Sequence, residues 1–519
     1  MGAVPFLLDE VHCPIYGSRL TLGLLRAKLV EFHDVEDLDA REVAAGEPLQ
    51  LGPFTFDFVR VNHSIPEPAG LGIHTPAGLI VHSGDFKFDP TPPYGLPADL
   101  HKFGEFGQAG TTLLICDCTN VERPGYTPSE RLVSEAFEQL FRTRPGRLII
   151  ATFASNLGRV QQVLDVAAQA GRRVAITGRS MSRMMDVGIE VGVVRVPEET
   201  LIPIEEIDQH PDRELAIVTT GTQGEPLSAL SLMAQGQHKY VQVRPGDTVV
   251  FSASVIPGNE GTILHTINQL FRRGADVVHG REAGVHVSGH GSQEELKLLL
   301  ALVQPRYVVP IHGEYRHLIR YRELAETMGV PPEHAFVLEP GEVIELSEGV
   351  ARRGEPVAGG SVNVDGLGVG DVKKVVLRDR QQLTESGIIL PVLVVDGLTC
   401  EPVAPPDVYS RGFVYVEQAA DLMETLKAEI SAVVETLREE GALEAEPLRQ
   451  RLRSRLRRLV QQLTGRRPIV LPIVIELGGP HDLSDGEEAG QEDLPFDAAN
   501  GKAVGPDNWA LGGEGEQQM

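Results

Sequence analysis

Four short segments of this chain put histidine or aspartate beside glycine or proline where an apolar strand ends. VNHSIPEPAG carries His63, VHSGDFKFDP carries Asp85, HVSGHGSQEE carries His286, Ser288 and His290, and VVPIHGEYRHL carries His312. Imidazole nitrogens and carboxylate oxygens are the donors that Zn²⁺ and Mn²⁺ take. Strand ends are also where α/β enzymes assemble active sites. A single strand-end histidine is ordinarily a hydrogen-bonded structural residue; four such segments in one chain point to a built site. A fifth segment, LLICDCTNVERPG, exposes Asp117 after a wholly apolar strand, with a cap by Asp117 or Thr119 as the competing reading. A sixth feature is the pair TTGTQGEPLSAL and FSASVIPGNE. Their small, hydroxylated residues leave backbone N–H groups open to an anion or a nucleic-acid backbone, or form ordinary turns.

The elements that would carry these residues follow from periodicity. LTLGLLRAKLVEF has leucines at helical spacing, PFTFDFVRVN alternates like a strand, and AGLGIHTPAGLIVHSGDF reads as two strands joined at Pro76-Ala77-Gly78. From about residue 128 the rhythm becomes strand–helix alternation: a serine-capped helix SERLVSEAFEQLFRTRPG, the strand RLIIATFAS, the helix GRVQQVLDVAAQAG and further such units. That pattern predicts a parallel α/β sheet. A second α/β stretch follows residue 280, where HVSGHGS opens the helix QEELKLLLALVQ and RYVVPIHG is a strand. Glycines cluster at 359–371, and 371–387 reads as a linker. Residues 388–477 then form another unit, and 478–519 an acidic, disordered tail holding the only tryptophan.

Composition narrows the classes. A length of 519 residues predicts about three domains, and 42% apolar residues are enough for packed cores. No apolar run reaches membrane-spanning length, and Asp9 and Glu10 interrupt the N-terminal apolar stretch. A cytoplasmic protein without membrane contact is expected. The cysteines Cys13, Cys116, Cys118 and Cys400 fit no zinc pattern and read as buried free thiols. A net charge of −26 disfavours nucleic acid only weakly, because ten acidic side chains against one lysine lie in residues 478–519. A binding site needs only a local positive lining.

Taken in order, IYGSRLTLGLL, NHSIPEPAG, HSGDFKFDPTP, CDCTNVERPGYTPSE, TGTQGEPLSAL, FSASVIPGNE, HVSGHGSQEELKLLL and PIHGEYRHL resemble the ribonuclease J family over about residues 1–477. The resemblance implies an α/β chain: a metallo-β-lactamase αββα fold, incomplete at its N-terminus, with an inserted β-CASP domain and a small α+β C-terminal domain. The implied boundaries are 1–127 and 281–370 for the two parts of the metallo-β-lactamase domain, 128–280 for β-CASP, and 388–477 for a dimerisation domain. His63, Asp85 and His312 match metal ligands, Asp85 bridging two ions. Asp117, His290 and His312 match the first, second and third β-CASP motifs. His286, Ser288 and His290 match a pocket for a nucleotide phosphate. The implied catalytic residues are therefore Asp85, Asp117, His290 and His312, and the implied cofactor is two Zn²⁺, with Mn²⁺ or Mg²⁺ as substitutes. The implied chemistry is two-metal hydrolysis of RNA, 5′ to 3′ from a monophosphorylated end and also internally, in RNA processing and decay. Implied partners are RNA, a second copy or a tetramer of this chain, and proteins of RNA decay.

One departure weighs against activity. The family's HxHxDH motif is absent, and no two of the 16 histidines are separated by a single residue. Met1-Gly2-Ala3-Val4-Pro5-Phe6 stands where the segment after that motif would be. The chain is thus read as beginning just past it, with three metal ligands for two ions. As written it is expected to hold metal weakly and to have little or no nuclease activity. The alternative function is a catalytically inactive subunit that binds RNA or pairs through residues 388–477; a small-molecule hydrolase is disfavoured by the β-CASP insertion. In PLRQRLRSRLRRLVQQL, Leu448, Leu452, Leu456, Leu459 and Leu463 form an apolar stripe among six arginines. Those arginines are either solvated, with the stripe packed inward, or contact RNA or a second subunit.

Overall fold

The computed structural model describes residues 2–32, 38–280, 283–365, 368–370, 374–413, 420–441 and 443–478. They divide into two compact units after residue 362, and each is taken by itself.

The first unit is built on two six-stranded sheets. One runs, from edge to edge, Tyr307–Ile311, Thr111–Asp117, Gly78–His82, Ala69–Thr75, Phe54–Arg60 and Pro48–Leu51. The first three strands are parallel, and the rest pair antiparallel. Strand direction therefore makes Phe54–Arg60, Gly78–His82, Thr111–Asp117 and Tyr307–Ile311 all point toward one edge. One face buries Val59, Val81, Leu114 and Val308 beneath helices Leu100–Ala109, Gln293–Val303 and Tyr315–Thr327. The helices present Phe103, Phe106, Leu299 and Tyr321 in return. The other face meets Phe336, Leu338 and the hairpin Ile344–Ser347/Val350–Arg353.

The second sheet is entirely parallel, in the order Leu201–Ile202, Arg173–Thr177, Leu215–Thr219, Leu148–Ala151, Thr248–Phe251, Asp276–Val278. Its central strands are buried along their whole length, as near-continuous apolar runs between two helical layers must be. The helix expected to have a serine cap, Arg131–Thr143, starts at Glu130 without a side-chain cap; the hydroxyl of Ser129 accepts from Arg131 N and from the Thr91 hydroxyl.

In the second unit the strand Ile388–Asp396 is central. Asp407–Arg411 pairs with it antiparallel on one side, and two short strands, Ile469–Val470 and Ile473–Leu477, pair parallel with it on the other. The apolar stretch PIVLPIVIEL makes two strands rather than one, interrupted at Leu471-Pro472, where proline has no N–H for the ladder. Helices Ala420–Glu439 and Ala445–Thr464 cover one face through Leu426, Ile430, Val434, Leu448, Leu452 and Leu456. The apolar stripe turns at its end: Val460 is buried and Leu463 is exposed. Arg449, Arg451 and Arg455 pair with Glu446, Glu440 and Glu429 of the same unit. Most of the expected linker 371–387 is instead a helix, Lys374–Ser386. That stretch contains neither glycine nor proline, and the linker reading extended the glycine cluster too far. Of the cysteines, Cys116 and Cys118 are buried as expected, but Cys13 is exposed and Cys400 partly so, and all four are free. The acidic tail from 479 lies outside the described residues.

Candidate active site

The four co-directed strands deliver the site. Phe54–Arg60 leads into the loop bearing His63, Gly78–His82 runs through Ser83-Gly84 to Asp85, Thr111–Asp117 ends on Asp117, and Tyr307–Ile311 is followed directly by His312. Two of these turns need special backbone. Gly84 has φ +63°, and a Cβ there would lie 2.5 Å from the Ala69 carbonyl oxygen. His312 itself sits at φ +55°, a left-handed conformation that histidine tolerates better than most side chains. The fifth element is the loop before helix Gln293–Val303, which brings in His290.

Asp117 and His290 form the tightest pair: His290 Nδ1 is 2.6 Å from Asp117 Oδ2. Asp117 is nearly inaccessible and also accepts from Thr119 N at 2.9 Å and Phe86 N at 3.3 Å. The opposite nitrogen of His290 lies 3.5 Å from His63 Nε2, and the His290 ring stacks on His312 with centroids 5.0 Å apart. His312 presents Nε2 to Asp85 Oδ2 at 3.7 Å, and Nδ1 to the Thr119 hydroxyl at 2.9 Å. Both Asp85 and His312 are about half exposed. The described donors that lie closest together are Asp117, His290 and His312, within 4.8 Å of one another.

Electrostatics sort these groups. Burial alone would pull the His290 ring down, but the Asp117 carboxylate outweighs it and the net shift is upward. Asp117, which burial pushes up, ends below the ordinary carboxylate range because His290 and Thr119 hydrogen-bond its charged form. Burial and the neighbouring His290 charge lower His63 to about 4. A neutral His63 is the state that a metal ligand requires.

A cation fits part of this set. Two ligands of one tetrahedral zinc stand roughly 3.4 Å apart, close to the 3.7 Å between Asp85 Oδ2 and His312 Nε2. His63 lies against His290, with ring centroids 4.8 Å apart. His290 and Asp117 are already committed to each other. The Asp85–His312 pair has the spacing of two ligands to one divalent ion, whereas the described donors that converge within 4.8 Å are Asp117, His290 and His312.

The three residues expected to hold a phosphate do not behave alike. Ser288 and His290 are tied together by Asn120, whose Nδ2 donates to Ser288 Oγ and to the His290 carbonyl, both at 2.8 Å. Ser288 Oγ in turn accepts from His290 N at 3.1 Å. His286 points into a charged interior. Burial, then the charge of Arg159, holds its ring down to about 3, and its Nδ1 has no hydrogen-bond partner. Arg123, which the sequence reading passed over, is close enough for its charge to act on both His286 and His290. Glu295 was also missed. Its buried carboxylate accepts from Phe88 N at 2.9 Å, and from Thr127 N and Ser292 N at 2.7 Å each. The S-x-x-E capping-box spacing of Ser292 and Glu295 was the signal that could have revealed it.

The loop before helix Gln293–Val303 packs on His63 without clearance. A Cβ on Gly289 would stand 2.8 Å from His63 Cδ2. Gly289→Ala is therefore expected to displace His63, lowering stability by about 1–3 kcal/mol and weakening metal binding. Thermal unfolding with and without Zn²⁺ checks both; a variant with wild-type values for each would contradict the packing.

Comparison with known proteins bears on the whole chain. Residues 145–270 match the family described as "Ribonuclease J, beta-CASP domain". Residues 274–338 match "Zn-dependent metallo-hydrolase RNA specificity domain", and 375–477 match "Ribonuclease J C-terminal domain". Among curated relatives, "Ribonuclease J2" of Bacillus subtilis is 38% identical over 92% of this chain and 86% of its own length. "Ribonuclease J 1" of Streptococcus pyogenes is 40% identical over 92% and 85%. "Ribonuclease J" of Thermus thermophilus is 41% identical over 92% and 83%.

Proposed function

Since this chain belongs to the ribonuclease J family, we propose that its first unit binds RNA and hydrolyses a phosphodiester bond with a divalent cation held by His63, Asp85 and His312. The observation that carries this is the convergence of four strand ends and one loop on Asp85, Asp117, His290 and His312, with Ser288 fixed beside them. Zn²⁺, or Mn²⁺ in its place, would supply positive charge and an acidified water when bound.

The chain's own residues do the rest. Asp117 orients the His290 ring, and its carboxylate raises that ring's affinity for a proton. His290 can then hold a proton at Nε2 for the departing ribose oxygen or steady a phosphate oxygen. Ser288, positioned by Asn120, offers a hydroxyl to the phosphate of the terminal nucleotide, and the Arg123 charge favours that anion nearby. This arrangement suits 5′ to 3′ removal from a monophosphorylated end; internal cleavage uses the same centre with a phosphate of the chain at that position.

The donor set supports a second reading too. Three ligands serve one ion, and a chain with this set alone acts as an RNA-binding or dimerising subunit with little hydrolysis. The sheet face of the second unit that bears Tyr409, Ile473 and Ile475, all exposed, suits the self-association of that reading and of a homodimer or homotetramer. Zinc titration of the purified chain separates the readings. The expected result is one ion per chain, weakly held, and lost in Asp85→Ala. Two tightly bound ions with brisk cleavage of a 5′-phosphorylated oligonucleotide would overturn the incomplete-site reading; no RNA binding at all would overturn both.

A further inference from the structure

We propose that Arg159 is a positioning residue for the phosphate loop, clamping the carbonyl of Val285 so that Ser288 and His290 keep their places beside His312. The proposal rests on the RNA reading above and adds to it a residue from the second sheet's helical layer.

Arg159 lies on helix Leu157–Gln169, and its side chain is wholly buried. Its Nη1 donates to the Val285 carbonyl at 2.9 Å and also to Ser252 Oγ. Ser252, just past the strand Thr248–Phe251, donates to the same Val285 carbonyl at 2.6 Å. One backbone oxygen thus receives two donors, both from the second sheet and its helices. The remaining donors of Arg159 go to Gln162 Oε1 at 2.8 Å and Glu130 Oε2 at 2.6 Å. Glu130 then pairs with Lys87 Nζ at 3.5 Å, two residues beyond Asp85. A single guanidinium therefore ties the residue before His286 to the segment after Asp85.

Two considerations make this more than a core contact. First, residues 284–292 lie outside helix and strand, so the loop cannot hold its pose through a hydrogen-bonded ladder. His286 Nδ1 contributes no hydrogen bond to that pose. Asn120, Thr127 and the Phe86 carbonyl hold the later part of the loop, and the Val285 carbonyl is its anchor ahead of His286. Second, a buried ion pair is a poor device for stability alone. Apolar residues of similar volume fill such space at least as well, whereas a planar five-donor fork fixes the direction of several acceptors at once.

The test uses the full chain with EDTA present, so that cleavage does not interfere. The probes are two decamer RNAs labelled at the 3′ end, one with a 5′-phosphate and one with a 5′-hydroxyl, read by fluorescence anisotropy. Wild type is expected to bind the phosphorylated probe about tenfold more tightly, the worth of one charge-assisted contact. Arg159→Lys and Ser252→Ala should each bring that ratio below about threefold. Binding of the hydroxyl probe should stay within about twofold of wild type. Ser252→Ala removes one hydroxyl group and guards against the case in which the lysine variant does not fold. A ratio unchanged in both variants, or both probes weakened equally, would overturn the proposal. A wild type with no preference for the phosphorylated probe would overturn the phosphate pocket itself, and the positioning role with it.

Discussion

Alanine in place of Glu295 is expected to destabilise the first unit by at least about 3 kcal/mol, since each orphaned buried donor costs about 1–3 kcal/mol. Glu295 has no exposed surface and satisfies three backbone N–H groups from three segments, at Phe88, Thr127 and Ser292. Glutamine is a poor rescue: one amide oxygen serves Phe88, but the amide nitrogen would then face the N–H groups of Thr127 and Ser292. The damage should be directed as well as large. Phe88 is three residues from Asp85, and Ser292 two from His290, so metal affinity should fall with stability. Urea unfolding followed by zinc titration reads both. A loss under about 1 kcal/mol would mean that the three donors find other acceptors.

The second large effect concerns acid. His286 is held to about 3 in the fold, against an ordinary 6.5. The unfolded chain therefore binds a proton there that the folded chain refuses, and stability must fall as pH drops below 6.5. Each pH unit contributes about 1.4 kcal/mol, hence about 2 kcal/mol between pH 6.5 and 5. His63, also lowered by burial, acts in the same direction. His290 opposes them: its raised proton affinity stabilises the fold below its ordinary range, a contribution lost as pH rises through the raised value. His286→Gln should flatten the dependence by about one proton. Denaturant midpoints at pH 7, 6 and 5 for both proteins provide the comparison, and parallel curves would show that His286 is not the group responsible.

Sequence alone carried the residues whose signal is local. His63, Asp85, Asp117 and His312 were legible because each follows an apolar run, and a strand must end where its alternation does. That they meet was not legible: it depends on four strands sharing one direction, and direction is set by pairing across the sheet. Arg159 was invisible for a related reason. An arginine in GRVQQVLDVAAQ reads as a solvated helix position, and only the approach of Val285, 126 residues away, makes it an interior one. Grouping His286 with Ser288 and His290 as a phosphate pocket followed from the family resemblance of HVSGHGSQEELKLLL. Their chemical environments differ because the charges beside His286 come from Glu130, Lys87 and Arg159. The helix Lys374–Ser386 was missed because neighbouring glycines outweighed a run free of helix breakers. The break at Pro472 could have been seen, since proline inside a strand pattern is itself a stop signal.

The left-handed backbone at His312 sets heat resistance and this imidazole against each other. A side chain in that conformation carries roughly 1 kcal/mol of strain that glycine does not. Selection of random variants for survival at high temperature would therefore favour glycine or asparagine at this position and discard the proposed metal ligand on the way. Consensus or heat-based stabilisation of this chain has to hold position 312 fixed, or it will drift toward a sturdier protein with an emptier site.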